Sequence, residues 1–401
     1  MDLGFEGGFK ILRKSFNPKT SFSWGIKHGR SHWVTLPRTG FKVVFANDIL
    51  KAAENSWTPF FNGASASVFT RKSIVDLVKQ ARKESFILPK ADIVTGGFPC
   101  QDFSVAGKRQ GFGSNKAHHG GYLESSDDPT EENRGKLYMW MRSVIDITRP
   151  KIFIAENVKG LISLANVKDI IEKDFSKIGD NGYLVVEARV LKATDYGVPQ
   201  TRERVVFFGF NRDYLRPEAA KRLSGLFEDF QYDPYPLPSH NQHAQGALIP
   251  YVTAGDAFIG LKEPSEETQD VSQMSYSKAK WYGRHCQGNK EVPLNLPGPT
   301  IRAEHHGNIE FRRLCSEKGG KNKSGKESRL AERRLTVREC ARLQTFPDNY
   351  QFVRPQARGE IAKFPLSVSD GYKVIGNAVP PLLAFHIAMR LKQNWDLYFK
   401  E

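Results

Sequence analysis

Residues Gly96-Gly97-Phe98-Pro99-Cys100-Gln101 follow directly on the apolar run Ala91-Asp92-Ile93-Val94-Thr95. The pattern predicts a buried strand that breaks into a Gly/Pro turn and presents one thiol at its carboxyl end. That edge is where open α/β sheets gather ligands and chemistry. A thiolate is a strong nucleophile once nearby charge lowers its pKa. Ser104, Lys108 and Arg109 follow Cys100 in a loop punctuated by Gly107 and Gly111, which suits a nucleophile on a moving segment. For Cys100 taken alone, a packing cysteine under a turn is the competing reading.

Three further stretches carry groups that could act with such a thiol. Glu156-Asn157-Val158 follows the apolar run Lys151–Ala155 and places a carboxylate at a second strand end. Gln200-Thr201-Arg202-Glu203-Arg204 offers two guanidiniums after the run Tyr183–Leu191, and Gly376-Asn377-Ala378-Val379-Pro380-Pro381 lies near the end of the chain. Each alone has an ordinary explanation: a helix cap, a solvated Arg pair, a proline-started helix. Together they are expected to bring a thiol, a carboxylate and two guanidiniums to one crevice.

The elements that must position them alternate between strand and helix. Phe41–Ala46, Ala91–Thr95, Lys151–Ala155, Tyr183–Leu191 and Val205–Phe210 read as strands, and Ser73–Arg82, Leu137–Thr148 and Val167–Ile178 as helices. Such alternation predicts a mainly parallel sheet covered on both faces. From Arg212 to Arg334 the periodicity fades into Pro- and Gly-rich sequence, with a basic run, Lys318–Lys326, that reads as a surface loop. Thr336 and Glu339 form a capping-box pattern at the head of a helix. Gly371–Pro381 reads as turn-rich and Leu382–Trp395 as a last amphipathic helix.

The chain has 401 residues and a formal charge of +15, with an isoelectric point near 9.5. A polyanionic partner, nucleic acid first, is the natural expectation. The four cysteines, Cys100, Cys286, Cys315 and Cys340, form no C-x-x-C pair, so neither a disulfide framework nor a zinc site is expected. No secretory signal pattern and no apolar stretch of bilayer length is read from the sequence.

In this order the segments closely resemble the DNA cytosine-5 methyltransferase family of the bacterial restriction-modification type. The matching pieces are residues 96–101, 156–158, 200–204, 335–344 and 376–381. The resemblance implies a Rossmann-like, doubly wound α/β sheet of the class I S-adenosylmethionine-dependent methyltransferases. It also implies a smaller, irregular target-recognition domain. The catalytic domain would span 1–211, target recognition 212–334, and 335–401 would return to the catalytic domain. Cys100 would attack carbon 6 of a flipped-out cytosine, Glu156 would engage N3, and Arg202 and Arg204 would contact the base. Asn157 would position Glu156. Gln101, Ser104 and Lys108 would touch DNA from a closing lid.

The family's cofactor is S-adenosylmethionine. Asp48 would hold its ribose, Ile49 would pack on adenine, and Pro99, Asn377 and Val379 would line the pocket; Ser73-Ile74 is the candidate for the adenine edge. Only six residues precede Gly7-Gly8, fewer than the opening strand and glycine loop of the family need. Met1–Glu6 resembles the helix after that loop, although Gly7-Gly8 could also be the loop's remnant. Roughly ten to fifteen upstream codons, one strand and a tight turn, are expected to restore the motif.

Within 212–334, Arg302, His305, His306 and Asn308 are candidates to read base edges. Lys278, Lys280 and Arg284 are candidates for phosphate contacts. The expected partner is double-stranded DNA, with functional pairing to a restriction endonuclease. A monomer in the bacterial cytoplasm is expected, and no metal. An RNA cytosine-5 methyltransferase is one alternative. A catalytically impaired, sequence-specific DNA binder is another, if the chain truly begins at Met1.

Overall fold

The computed structural model describes residues 1–26, 29–61, 68–97, 138–163, 167–225, 230–303, 308–321, 330–355 and 364–400. In chain order, the elements that bear on the site begin with β1 (Ala46–Asn47), β2 (Phe69–Thr70), α1 (Ile74–Arg82), β3 (Ile93–Gly97) and α2 (Tyr138–Thr148). Next come β4 (Ile152–Val158), α3 (Val167–Ser176), β5 (Tyr183–Lys192) and β6 (Glu203–Asn211). Helices α4 (Val337–Leu343), α5 (Val368–Asn377) and α6 (Pro381–Tyr398) complete the set. Two compact units divide the chain. One comprises Met1–Arg71, Lys192–Arg202 and Leu237–Met389; the other comprises Lys72–Leu191, Glu203–Pro236 and Arg390–Glu401. The expected segments 212–334 and 335–401 are therefore each shared between units.

The second unit holds a four-stranded sheet in the order β3-β4-β6-β5. Strand β4 runs parallel to β3, with Ile93 opposite Ile152 and Gly97 opposite Glu156. It runs antiparallel to β6, with Ile152 opposite Phe210 and Val158 opposite Arg204. The sheet is thus mixed where mainly parallel pairing was expected. The link 193–202 is too short for the helical crossover that a parallel return requires.

Strand β4 is central and buried on both faces, so it reads as a continuous apolar run, Ile152-Phe153-Ile154-Ala155, rather than an alternating one. Phe153 packs against Phe175 of α3 and Tyr183 of β5. Together with Tyr138, Met141, Ile145, Val205 and Phe207 they form one buried cluster. Burying each such side chain is worth about 1.5–3 kcal/mol. Gly209 sits opposite Phe153 in the ladder, and a Cβ there would lie 1.9 Å from the Phe153 ring. Only glycine leaves room for that phenyl group. Helix α1 starts one residue later than expected because Ser73 is its N-cap, accepting from the Val75 amide at 3.3 Å. Ser73, the candidate for the adenine edge, thus serves its own helix as a cap.

In the first unit, residues 41–46 do not form the expected long strand; pairing begins only at Ala46, with β1 parallel to β2. Met1–Glu6 does begin as a helix, Asp2–Glu6. Gly7 and Gly8 follow with φ of 69° and 76°, turning the chain into the strand Lys10–Leu12, which pairs with Trp33–Thr35. The capping box of α4 is present, Thr336 and Glu339 each hydrogen-bonding the other's backbone N–H. The expected turn at Gly371–Pro381 is instead mostly helix α5, headed by a second capping box between Ser367 and Asp370. Val368–Tyr398 is apolar enough in composition to cross a bilayer, contrary to the sequence-based expectation. It is broken into α5 and α6 and largely buried inside the protein, as core helices are.

The irregular region is held by buried arginines. Arg313 and Arg333 both engage Glu263, and Arg333 also engages Glu339 at 2.8 Å. Arg338 pairs with Asp270 and Arg342 with Asp348. The Glu263 carboxyl is pushed down to about 2: hydrogen bonds and charge from Arg313 and Arg333 overcome the upward push of burial.

Candidate active site

Glu156 lies on β4 itself, since the strand continues to Val158. Its neighbour across the parallel pair is Gly97, at the end of β3. A Cβ on Gly97 would meet Glu156 Oε2 at 3.3 Å, so the bare glycine backbone is what lets the carboxyl group sit there. Arg204, on the neighbouring strand β6, brings its Nε to 2.7 Å from Glu156 Oε1, and both side chains are only 13% exposed. The register explains the meeting. Glu156 faces Val206, and Arg204 is two residues from Val206 along β6, so it projects from the same face.

The approach is an ion pair rather than a directed hydrogen bond, because Oε1 receives no well-aligned N–H among the described residues. Arg204 Nη1 meanwhile donates to the Glu203 carbonyl at 2.8 Å. A nearly dehydrated carboxyl with one oxygen lacking an aligned donor can exchange a proton with, or accept a hydrogen bond from, a polar heterocycle. Asn157 is 1% exposed, and its Oδ1 accepts the Val158 N–H at 2.8 Å. Strand β3 leads within three residues to Cys100. Pro99, Cys100, Gln101, Ser104 and Lys108, like His305 and His306, lie outside the described residues.

Arg202 differs from its partner in the motif. It precedes β6, is 1% exposed, and donates from Nη1 to the Ile301 carbonyl at 3.1 Å and from Nη2 to the Gly376 carbonyl at 2.9 Å. In this structure the Arg202 guanidinium is thus committed to two backbone carbonyls. Gln200 works beside it: Oε1 accepts the Ile301 N–H, while Nε2 donates to the Leu343 carbonyl and to Gln344 Oε1. Gln344 Nε2 in turn donates to the carbonyls of Ile375 and Ala378. Three buried polar side chains therefore fix the backbone around Gly376-Asn377-Ala378. Gln344 closes the motif at 335–344, yet no pattern in the sequence distinguishes it from an ordinary helix-end glutamine.

That fixed turn presents Asn377 exposed and Val379 buried. In the same unit Asp48 follows β1, and its Oδ1 accepts the Leu50 N–H at 2.8 Å. Burial raises the Asp48 pKa, opposed by the N–H groups of Leu50 and Ile49 and by the Lys373 ammonium of α5. No sequence motif points to Lys373. Ile49, next in the chain, is 50% exposed. A carboxylate at a strand's carboxyl end beside an uncovered aliphatic side chain is a donor set suited to vicinal hydroxyls and a flat heteroaromatic ring. These residues fit a nucleoside-bearing cofactor.

Arg302, a candidate to read base edges, is 24% exposed and engaged within the protein. Its guanidinium reaches Gln287 Oε1 at 2.6 Å, the Asn308 carbonyl at 3.2 Å and Glu310 Oε1 at 3.2 Å. Glu310 is 6% exposed, and a buried carboxylate demands such a counter-charge. Asn308 likewise turns inward, its Nδ2 lying 2.8 Å from Cys286 Sγ.

The sequence matches the family described as C-5 cytosine-specific DNA methylase over residues 33–120 and 120–393. It is 31% identical over 375 residues to the Type II methyltransferase M.FnuDI of Fusobacterium nucleatum, covering 89% of this chain and 90% of that protein. It is 30% identical over 425 residues to the Type II methyltransferase M.BspRI of Lysinibacillus sphaericus, covering 100% of this chain and 81% of that one. A crystal structure of a prophage-encoded DNA modification methyltransferase of E. coli is similar in fold, with a TM-score of 0.50 at 20% identity, covering 90% of this chain and 93% of that one. With its α/β architecture of the class I methyltransferase type, the chain belongs to the C-5 cytosine-specific DNA methylase family and is a DNA cytosine-5 methyltransferase.

Proposed function

We propose that this enzyme transfers the methyl group of S-adenosylmethionine to carbon 5 of a cytosine swung out of a specific duplex sequence, through a covalent bond from Cys100. Carbon 5 of cytosine is a poor nucleophile until a thiolate adds to carbon 6. The Cys100 thiolate forms the sulfur–carbon bond, and the displaced electron pair makes carbon 5 nucleophilic. Glu156, carrying a proton when the base is bound, passes it to N3 as negative charge builds there, and Arg204 steadies the carboxylate left behind and the O2 side of the ring. After carbon 5 has gained its methyl group, its proton passes to water. The thiolate then leaves as Glu156 recovers the N3 proton.

When bound, the cofactor supplies an electrophilic methyl group. Asp48 would accept hydrogen bonds from its ribose, and Ile49 would cover its adenine. Pro99, Asn377 and Val379 would line the rest, with Arg202, Gln200 and Gln344 holding the turn that carries Asn377. Gln101, Ser104 and Lys108 would contact DNA around the extruded base, whose unstacking costs a few kcal/mol. As with its Type II relatives, the activity would serve a restriction-modification system in the bacterial cytoplasm. There a monomer would protect host DNA from a cognate endonuclease.

The observation that supports this reading most is the Glu156 carboxyl held between Gly97 and Arg204, at the end of the strand beside the one that runs on to Cys100. The test is transfer of tritiated methyl groups from the cofactor to unmethylated bacterial DNA, with bisulfite sequencing to locate the product. Cys100→Ala should retain duplex binding and lose transfer. Undiminished transfer by that variant would remove Cys100 from the mechanism.

A further inference from the structure

Along β6, Arg204, Val206 and Phe208 project to one face of the sheet, while Val205 and Phe207 lie in the buried cluster on the other. The first face is packed by Tyr235, whose ring stands edge-on to Phe208 with centroids 4.9 Å apart. Tyr235 is 2% exposed, and its hydroxyl lies 2.8 Å from the Val206 carbonyl and 2.9 Å from the Glu187 carbonyl. Val206 is the residue that faces Glu156, and Glu187 belongs to β5, the next strand of the sheet. One phenolic proton is thus shared between carbonyls of two adjacent strands. Burial pushes the Tyr235 pKa up, so this donor keeps its proton at any pH near neutrality.

Tyr235 is itself held on every side. Its N–H donates to Asp233 Oδ1 at 3.0 Å, and the other Asp233 oxygen pairs with Arg189 Nη1 at 2.7 Å. The Arg189 guanidinium in turn lies 4.6 Å over the Tyr235 ring. The segment just before Tyr235 is gripped by the end of α6. Arg390 Nε donates to the Asp233 carbonyl at 2.8 Å and Nη2 to that of Phe230. Asn394 Nδ2 donates to the Gln231 carbonyl at 2.6 Å, and the Tyr398 hydroxyl to the Tyr232 carbonyl at 3.0 Å. Residues 390, 394 and 398 are spaced four apart, so they form one stripe of the helix. Buried carbonyls demand donors, and this stripe therefore fixes where the segment sits and where Tyr235 enters. The brace falls inside the stretch expected to read DNA, 212–334, yet it belongs to the unit that holds the sheet.

We propose that Tyr235 is a positioning residue for methyl transfer: by holding the Val206 carbonyl it sets β6 so that Arg204 meets Glu156. The inference rests on the reading of Glu156 and Arg204 as the groups that act on the cytosine ring, and it names what aligns them. Val206 faces Glu156 and lies two residues from Arg204 on the same face, so a turn of the strand at Val206 moves the guanidinium against the carboxyl. Without the hydroxyl, two carbonyls of like partial charge lose their shared donor, and the strands must shift to relieve them. Tyr235 acts through Arg204 on this account. Its contribution must therefore disappear when the Arg204 charge is absent, which is the mark of coupled residues.

The experiment is a double-mutant cycle on the full chain: wild type, Tyr235→Phe, Arg204→Met and the pair, each assayed for methyl transfer to unmethylated bacterial DNA. Tyr235→Phe keeps the ring against Phe208 and Arg189 and removes only the donor. Its kcat should fall about tenfold, with KM for DNA and for S-adenosylmethionine unchanged. In the Arg204→Met background the same substitution should leave the residual rate unchanged. If Tyr235→Phe does not fold, Asp233→Asn, which weakens the hold on Tyr235, carries the same cycle with a loss of about threefold. Wild-type kcat in the folded Tyr235 or Asp233 variant overturns the inference. So does an equal loss in both backgrounds, which would make the brace structural only, and either result leaves the enzyme's activity standing. Wild-type turnover by Arg204→Met, or a wild-type chain that does not methylate DNA, overturns the functional reading itself and the inference with it.

Discussion

Two arginines of one short motif should fail in opposite ways. Arg202→Met removes a buried guanidinium and orphans the Ile301 and Gly376 carbonyls. An unsatisfied buried acceptor costs about 1–3 kcal/mol, so the loss for two is about 2–6 kcal/mol, partly offset because an apolar side chain no longer desolvates a charge. Part of it falls on the turn carrying Asn377, so cofactor affinity should weaken about tenfold. Turnover at saturating cofactor should fall much less. Arg204→Met removes the ion-pair partner of the Glu156 carboxyl. Its stability cost should stay at about 1–2 kcal/mol, because both side chains of the pair keep 13% exposure to water. Its turnover should drop by at least a factor of about a hundred, the scale of losing an oriented charge at a reacting group. Thermal unfolding, calorimetric cofactor titration and steady-state methylation separate the two. If Arg202→Met loses turnover with unchanged melting temperature and unchanged cofactor affinity, the clamp argument fails and Arg202 acts on the base.

Gly97→Ala places a methyl group 3.3 Å from Glu156 Oε2 and should displace the carboxyl by a few tenths of an ångström. Turnover should fall about tenfold, with the denaturant midpoint nearly unchanged. Gly209→Ala would drive a Cβ into the Phe153 ring at 1.9 Å and should destabilise by about 3 kcal/mol or more, read as a lowered melting temperature. His386 is buried and its pKa is pushed down to about 3 by desolvation, with His240 adding to the shift and a Tyr196 hydrogen bond opposing it. The unfolded chain binds a proton there near pH 6.5 while the folded chain does not. Folding stability is therefore whole above pH 6.5 and declines as pH falls toward 3, by up to a factor of about ten in the equilibrium constant per pH unit from this group. His386→Phe should flatten that decline in urea titrations at pH 7 and pH 5; an unchanged decline would refute the assignment.

The carboxyl-end chemistry was legible because it is written in short, contiguous words. A strand followed by Gly-Gly-Phe-Pro-Cys, and an apolar run followed by Glu-Asn, announce themselves locally. Thr336 with Glu339 announced a helix start in the same way, and Ser367 with Asp370 carried the same signal unread, hidden by the glycines that follow. The different fates of Arg202 and Arg204 were not legible. The two share a residue type and lie two apart, and what separates them is that β6 begins at Glu203. Nor could sequence show that Arg302 answers a buried Glu310, because that pairing is a property of how an irregular segment packs. Long-range partners such as Gln200 with Gln344, or Arg334 with Ala279, leave no periodic trace in the chain.

The central claim is a covalent bond between Cys100 and carbon 6 of an extruded cytosine. Duplex DNA carrying 5-fluorocytosine blocks the final proton loss, so incubation with S-adenosylmethionine should leave an adduct that survives denaturation. Mass spectrometry should place it on the peptide containing Cys100, and Cys100→Ser should yield none. If DNA is methylated at cytosine carbon 5 while no such adduct forms, or if it forms on another residue, the covalent mechanism through Cys100 is wrong.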